Sequence, residues 1–204
     1  LPWRLSLLFH SLQFAIFFPV VYGLYLVLSH KLQNRMLLVG SYVFYGAWDW
    51  RYCSILLVST LTDYFCGLAL TRTPISNRFR RKFLVAISII VNLGLLGIFK
   101  YYDFFATEFQ GLMGAFGLNV QPYFLNVALP IGISFYTFQT MSYTFDVYRQ
   151  KIKATDSFFD FALYVSFFPQ LIAGPIERGT RLLPQILKPR ALTSELIYHG
   201  IYFF

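Results

Sequence analysis

The sequence predicts an all-α fold: a polytopic transmembrane helical bundle with short re-entrant or interfacial helices. Three observations predict it. Of the 204 residues, 57% are hydrophobic and 13% are charged, about half the charged share of an ordinary soluble domain. Aromatic residues make up 21%, more apolar surface than one soluble core of this size can hide. The charges also fall in short clusters that bracket uncharged runs of membrane-crossing length. Intrinsic disorder needs the opposite composition, and the glycines and prolines have no period, so disordered and collagen-like chains are excluded. The net charge of +8 forms no basic face or arm of the kind nucleic acid requires.

The whole of 1–204 is predicted to belong to one multi-helix membrane domain. Leu5 to His30 carries no formal charge, which places a first span at about 5–29; a bilayer core takes about 20 helical residues. It lacks a small-residue cleavage site and so is expected to stay uncleaved. A second span at 36–50 is short and relies on an interfacial belt made by Tyr42, Phe44, Tyr45, Trp48, Trp50 and Tyr52. A third covers 53–71 and carries Asp63 near its middle. A fourth, 83–99, lies between the basic cluster Arg78–Lys82 and Lys100. After Tyr101 the glycines 111, 114 and 117 and Pro122 suggest an interfacial stretch. Pro130 opens or kinks a span at 128–148. Pro169 and Pro175 break 158–176 into a re-entrant or interfacial pair, and a truncated span starts at 196.

Positive charge sets the expected orientation. The loops 31–35, 72–82 and 149–153 hold ten basic residues, against Arg4, Arg51 and Lys100 on the other side. The positive-inside rule then puts those loops in the cytoplasm and the amino terminus outside.

Three segments could carry chemistry. Asp63 at mid-span costs roughly 2.5–3.5 kcal/mol on insertion scales and must face a partner inside the protein; a structural hydrogen bond to a neighbouring helix is the favoured role, a substrate or proton contact the alternative. Gln139, Tyr143 and Asp146 recur at i, i+4 and i+7 and form one polar stripe. Lipid cannot satisfy such a stripe, so it lines a cavity or another helix. In 167–178, two prolines, Gly174 and Gln170 make a broken helix, followed by Arg178, which could meet a phosphate or snorkel to the interface. Cys53 and Cys66 lie in an apolar stretch and read as buried bystanders. His10, His30 and His199 have no metal-ligand spacing, and no metal site is expected.

The order of these segments is recognisable. Leu7 to Phe14, Ser41 to Tyr45, Phe99-Lys100-Tyr101 and Leu129 to Phe138 resemble the membrane-bound O-acyltransferase family. So do Ser142-Tyr143, Asp146 to Arg149, Gln170 to Pro175 and Arg178. The resemblance is nearest to the bacterial branch that acetylates alginate. It implies a bacterial inner-membrane enzyme that moves an acyl group from a cytoplasmic donor, such as acetyl-CoA, to a hydroxyl on the far side. That donor is a substrate; no bound cofactor is implied. In this branch the acceptor is an exopolysaccharide, and periplasmic partner proteins relay the acetyl group. Family members are longer chains whose catalytic histidine lies in the second half, hence beyond Phe204, so no histidine here receives that role and this part alone is expected to be inactive. Gln139, Tyr143, Asp146, Gln170 and Arg178 are the candidates for lining the donor tunnel. A transporter or exporter, or a scaffold of a polysaccharide synthase without covalent chemistry, is the rival reading; inverted repeats would favour the transporter.

Overall fold

In the computed structural model, which describes residues 11–125, 129–174, 177–190, 198 and 202, the regular structure is entirely helical. Ser11 opens α1 (Leu12–Val27): its Oγ accepts the Phe14 N–H at 3.2 Å, supplying one of the partners a helix start lacks. The expected first span of 5–29 is described from Ser11 onward; residues 1–10 lie outside the described part. Leu28 and Ser29 turn the chain at once into α2 (His30–Asp49). The sequence suggests a charged loop before residue 36, yet the helix begins six residues earlier. Side-chain contacts explain this. Gln33 Nε2 donates to the Tyr25 carbonyl at 2.8 Å, and Asn34 Nδ2 donates to Asp160 Oδ1 at 2.8 Å and to the Ile186 carbonyl at 3.0 Å. The polar turn is thereby used as a clamp and not left in solvent.

Trp50 and Arg51 link α2 to α3 (Tyr52–Arg72). From Arg78 one uninterrupted helix runs to Ala115: α4 (Arg78–Leu96), a π-helical turn (Gly97–Tyr101) and α5 (Tyr102–Ala115). The expected bounds of 83–99 are therefore too narrow at both ends. The basic cluster forms the first turn, capped by Asn77 Oδ1 accepting the Arg80 N–H at 3.1 Å. Gly111 and Gly114 do not stop the helix, because an isolated glycine costs only about 1 kcal/mol. The turn comes at Gly117, whose φ of +76° is left-handed.

Helix α6 (Ile133–Tyr148) starts later than the expected 128, and residues 126–128 lie outside the described part. Gly132 precedes it in a left-handed conformation (φ +73°), and a Cβ there would sit 2.8 Å from the Leu171 carbonyl oxygen. Proline and glycine thus build a turn ahead of the helix. In the expected pair at 158–176, α7 (Phe158–Ser166) and α8 (Phe168–Ala173) meet at Phe167, with Pro169 in the first turn of α8; residues 175 and 176 lie outside the described part. The Phe168 N–H freed there donates to Ser41 Oγ at 3.2 Å. Helix α9 (Gly179–Leu187) was not anticipated. Pro184 inside it masks a two-faced pattern in which Gly179, Leu183 and Ile186 are buried. The truncated span from 196 falls outside the described residues except for helical Tyr198 and Tyr202.

Two helices, Tyr52–Arg72 and Arg78–Ala115, are long and apolar enough to cross a membrane. Helix α3 packs against α4 and α6, and α2 against α7. Between them lies an aromatic core: the Tyr143 ring is 4.5 Å from Phe161, which lies 5.9 Å from both Tyr64 and Tyr164.

Candidate functional site

Asp63 sits on α3 with no exposed surface. Its carboxylate takes three donors from two neighbouring helices. Ser88 and Thr144 hydroxyls donate to Oδ1, each at 2.5 Å, and Asn92 Nδ2 donates to Oδ2 at 2.5 Å. Asn92 is held in turn: its Oδ1 accepts from Ser59 Oγ at 2.6 Å and from Thr140 Oγ1 at 3.3 Å, and its Nδ2 also donates to the Ser88 carbonyl. The node ties α3, α4 and α6 together where apolar burial alone is weak glue between helices. Ser88 and Asn92 are four apart, on one face of an otherwise apolar helix. That spacing was the available sign that α4 presents donors to a carboxylate.

The polar stripe of α6 faces α7 and α9. Gln139 Nε2 donates to the Tyr164 carbonyl at 2.8 Å, and the Tyr143 hydroxyl accepts the Thr155 N–H at 3.3 Å. Gln139, Tyr143 and Asp146 are all buried. Two acceptor atoms on this stripe, Gln139 Oε1 and Asp146 Oδ2, have no hydrogen-bond partner among the described residues. Buried acceptors are rarely left open. Tyr143 also sets how closely α3 and α6 approach, because a Cβ on Gly67 would lie 2.9 Å from its Cε1. Gln170 is buried on α8, and Arg178 is exposed at the start of α9, the next residue, Gly179, lying against Tyr143 and Ile152. The structure thus gathers Gln139, Tyr143 and Asp146 on one face and sets Arg178 near its lower end.

Sequence inspection did not single out Arg81. It belongs to the basic cluster, yet it is buried and turns back into the bundle. Its Nη1 donates to the Leu70 carbonyl at 2.8 Å and to the Thr73 carbonyl at 3.1 Å, and its Nη2 donates to the Tyr148 carbonyl at 2.7 Å. These carbonyls lie at the ends of α3 and α6, where helix dipoles are negative and orphan acceptors need donors. One cation closes both helices. Two of the basic segments, 72–82 and 149–153, are drawn to the same end: Arg78, Lys82 and Arg149 border one cavity, and the Ala154 N–H donates to Thr71 Oγ1. Lys100 sits at the other end of α6, its Nζ donating to Ser134 Oγ at 3.0 Å. Among the described residues, no three His, Cys, Asp or Glu side chains gather as a metal site, and Cys53 and Cys66 are free thiols.

Buried hydroxyls and amides, one polar stripe and one basic end define an all-helical protein, two of whose helices are long and apolar enough to cross a membrane. No family model matches the chain, and no solved structure matches it. Curated relatives do. The probable alginate O-acetylase AlgI of Pseudomonas aeruginosa is 41% identical over 171 residues, which is 83% of this chain and 32% of the relative. The protein of the same name in Pseudomonas putida is 39% identical, covering 83% of this chain and 35% of the relative. A peptidoglycan O-acetyltransferase of Helicobacter pylori is 34% identical, covering 88% of this chain and 38% of the relative. The resemblance to the membrane-bound O-acyltransferase family is thereby shown. The chain spans about one third of the length of the curated relatives it matches.

Proposed function

We propose that this chain is part of an inner-membrane O-acyltransferase that acetylates hydroxyls of an exopolysaccharide such as alginate. The observation that carries this reading is the 41% identity to a probable alginate O-acetylase across 83% of the chain. The surface supports a bilayer setting. Helix α1 is apolar on every side, and Leu12, Ile16, Val20, Leu24 and Val27 are all exposed; a helix of that kind belongs in lipid or in a core. With the basic end in the cytoplasm, the amino terminus lies outside.

In the reaction, the acceptor hydroxyl oxygen attacks the thioester carbonyl of a donor such as acetyl-CoA. The new C–O ester bond forms, the C–S bond breaks and the sulfur leaves as a thiolate, while a histidine outside residues 1–204 takes the hydroxyl proton and passes it to that thiolate. The residues in hand supply a wall of the donor path. Gln139 and Asp146 offer the open acceptors that a donor amide N–H, a hydroxyl or water can fill. Tyr143 and Gln170 shape that wall, and Arg178 meets a donor phosphate at the cytoplasmic mouth. Periplasmic acetylation proteins are the expected partners for the polysaccharide step.

The test uses the intact protein in a bacterium lacking its own alginate O-acetylase, with ester-linked acetate measured on the secreted polysaccharide. Acetate should return, and Arg178→Ala should raise the KM for the donor more than it lowers kcat, since ground-state binding is what it removes. An unchanged donor KM ends the role given to Arg178. No acetate from the intact protein, at normal membrane levels, ends the proposal.

A further inference from the structure

We propose that the groove between the end of α3 and the start of α4 holds one anionic phospholipid of the cytoplasmic leaflet. This rests on the membrane reading above but not on the acetyl transfer. The groove is a cavity of about 580 Å³ whose floor is Phe65, Leu68 and Ala69 and whose rim is Arg72, Thr73 and Arg80. Phe65 is 61% exposed, so the floor is open outward along the helix.

Charge complementarity selects the occupant. Arg72 and Arg80 are exposed side chains with no carboxylate within ion-pair distance among the described residues, where the ion pair formed is Arg51–Asp49 at the other end of the bundle. The neighbouring Arg81 is not part of the groove: it is buried, and its guanidinium is held by the Leu70, Thr73 and Tyr148 carbonyls. Two exposed guanidinium groups, Arg72 and Arg80, therefore border one apolar trough. A neutral helix laid across it would leave those charges desolvated and unpaired, which is costly. A phosphodiester at the rim would take bidentate bonds from the arginines, with an acyl chain lying along Phe65 and Leu68. A soluble phosphate satisfies the rim but leaves the trough empty.

Native mass spectrometry of the detergent-solubilised protein, titrated with phosphatidylglycerol and phosphatidylcholine of identical chains, tests this. One phosphatidylglycerol should bind in preference to phosphatidylcholine. Arg72→Gln with Arg80→Gln should weaken it roughly thirty-fold, from about 1 kcal/mol per basic residue. Lys151→Gln with Lys153→Gln, on the neighbouring loop, should leave it unchanged. Phe65→Ser should weaken both lipids, and sn-glycerol-1-phosphate should not displace either. Equal loss in the two charge pairs means a diffuse basic collar and overturns the site. Displacement by glycerol phosphate overturns the lipid in favour of a free phosphate. No lipid retained by the wild type means another segment covers the groove and overturns the proposal. Flotation with vesicles separates the two readings: a protein that fails to float defeats the membrane reading, whereas one that floats but binds both lipids alike defeats this inference alone.

Discussion

Helices α3, α4 and α6 meet through hydrogen-bonded side chains, whereas α1 presents an almost wholly apolar surface and α5 stands clear of the packed core. In the first region Ser59, Asp63, Ser88, Asn92, Thr140 and Thr144 are all buried and bonded to one another. In the second, α5 has no buried residue, and α1 buries only Val21 among its described positions. The contrast teaches where specificity resides. Where the surround is as apolar as the side chains, hydrophobic contact says little about which helix belongs beside which. A carboxylate that needs three donors accepts one arrangement of neighbours.

Breaking the polar node should therefore have the largest effect. Asp63→Leu strands two hydroxyls and one amide, each costing roughly 1–3 kcal/mol, and should abolish or severely lower cooperative thermal unfolding in detergent. Asp63→Asn should lose far less, because an amide oxygen in the place of Oδ1 still accepts from the Ser88 and Thr144 hydroxyls, and only the contact to Asn92 Nδ2 is lost. Equal damage from both substitutions would mean that the negative charge itself holds the node, and the hydrogen-bond account would fail.

Next in size is Arg81. Arg81→Ala removes donors from three carbonyls at two helix ends, and hydrogen bonds to a charged group contribute about 1.5–3 kcal/mol each at most. A drop of several degrees in melting temperature is expected, against no measurable change for its exposed neighbour in Arg78→Ala. A drop of the same size in both would show that the cluster acts only through its summed charge.

The smallest expected effect sharpens the comparison from the packing side. Gly67→Ala should destabilise by roughly 1–3 kcal/mol, since its Cβ must push the Tyr143 ring away. Gly111→Ala in α5 meets nothing within 4 Å and should be neutral or stabilise by about 0.5–1 kcal/mol. If both behave alike in unfolding titrations, the two regions are packed more similarly than the structure shows.

The all-helical class was legible from composition, because uncharged runs bounded by clustered charge leave few other solutions. Helix α3 was legible almost to its ends, since Arg51 and Arg72 bracket its apolar stretch. The early start of α2 was not: Lys31 to Arg35 look like loop residues until Asp160 and the Ile186 carbonyl, far along the chain, are brought to Asn34. Helix α9 was hidden by Pro184. At the candidate site, the stripe Gln139–Tyr143–Asp146 follows from helical period alone, and Asp63 stood out by its charge. Its donors did not, because Ser88 and Thr144 are ordinary residues until three helices converge. Arg81 was concealed by its own neighbours; four adjacent cations give no sign of which one turns inward.

The π-helical turn at Gly97–Tyr101 acquires a meaning from simple length. The helix that contains it has 38 residues, so it measures about 57 Å at 1.5 Å per residue. The oily layer of a bilayer is only about 30 Å deep. Starting from the basic end, that depth is used up close to the widened turn, where Lys100 reaches across to Ser134. What remains is a rod some four turns long, bearing Phe104, Phe105, Phe109 and Leu112 on its outside. On the membrane reading it stands as a gantry over the outer face, with greasy rungs and the Leu125 N–H tied back to Asp103. On that same reading, these last four turns stand clear of the lipid, a lever arm whose root is the widened turn.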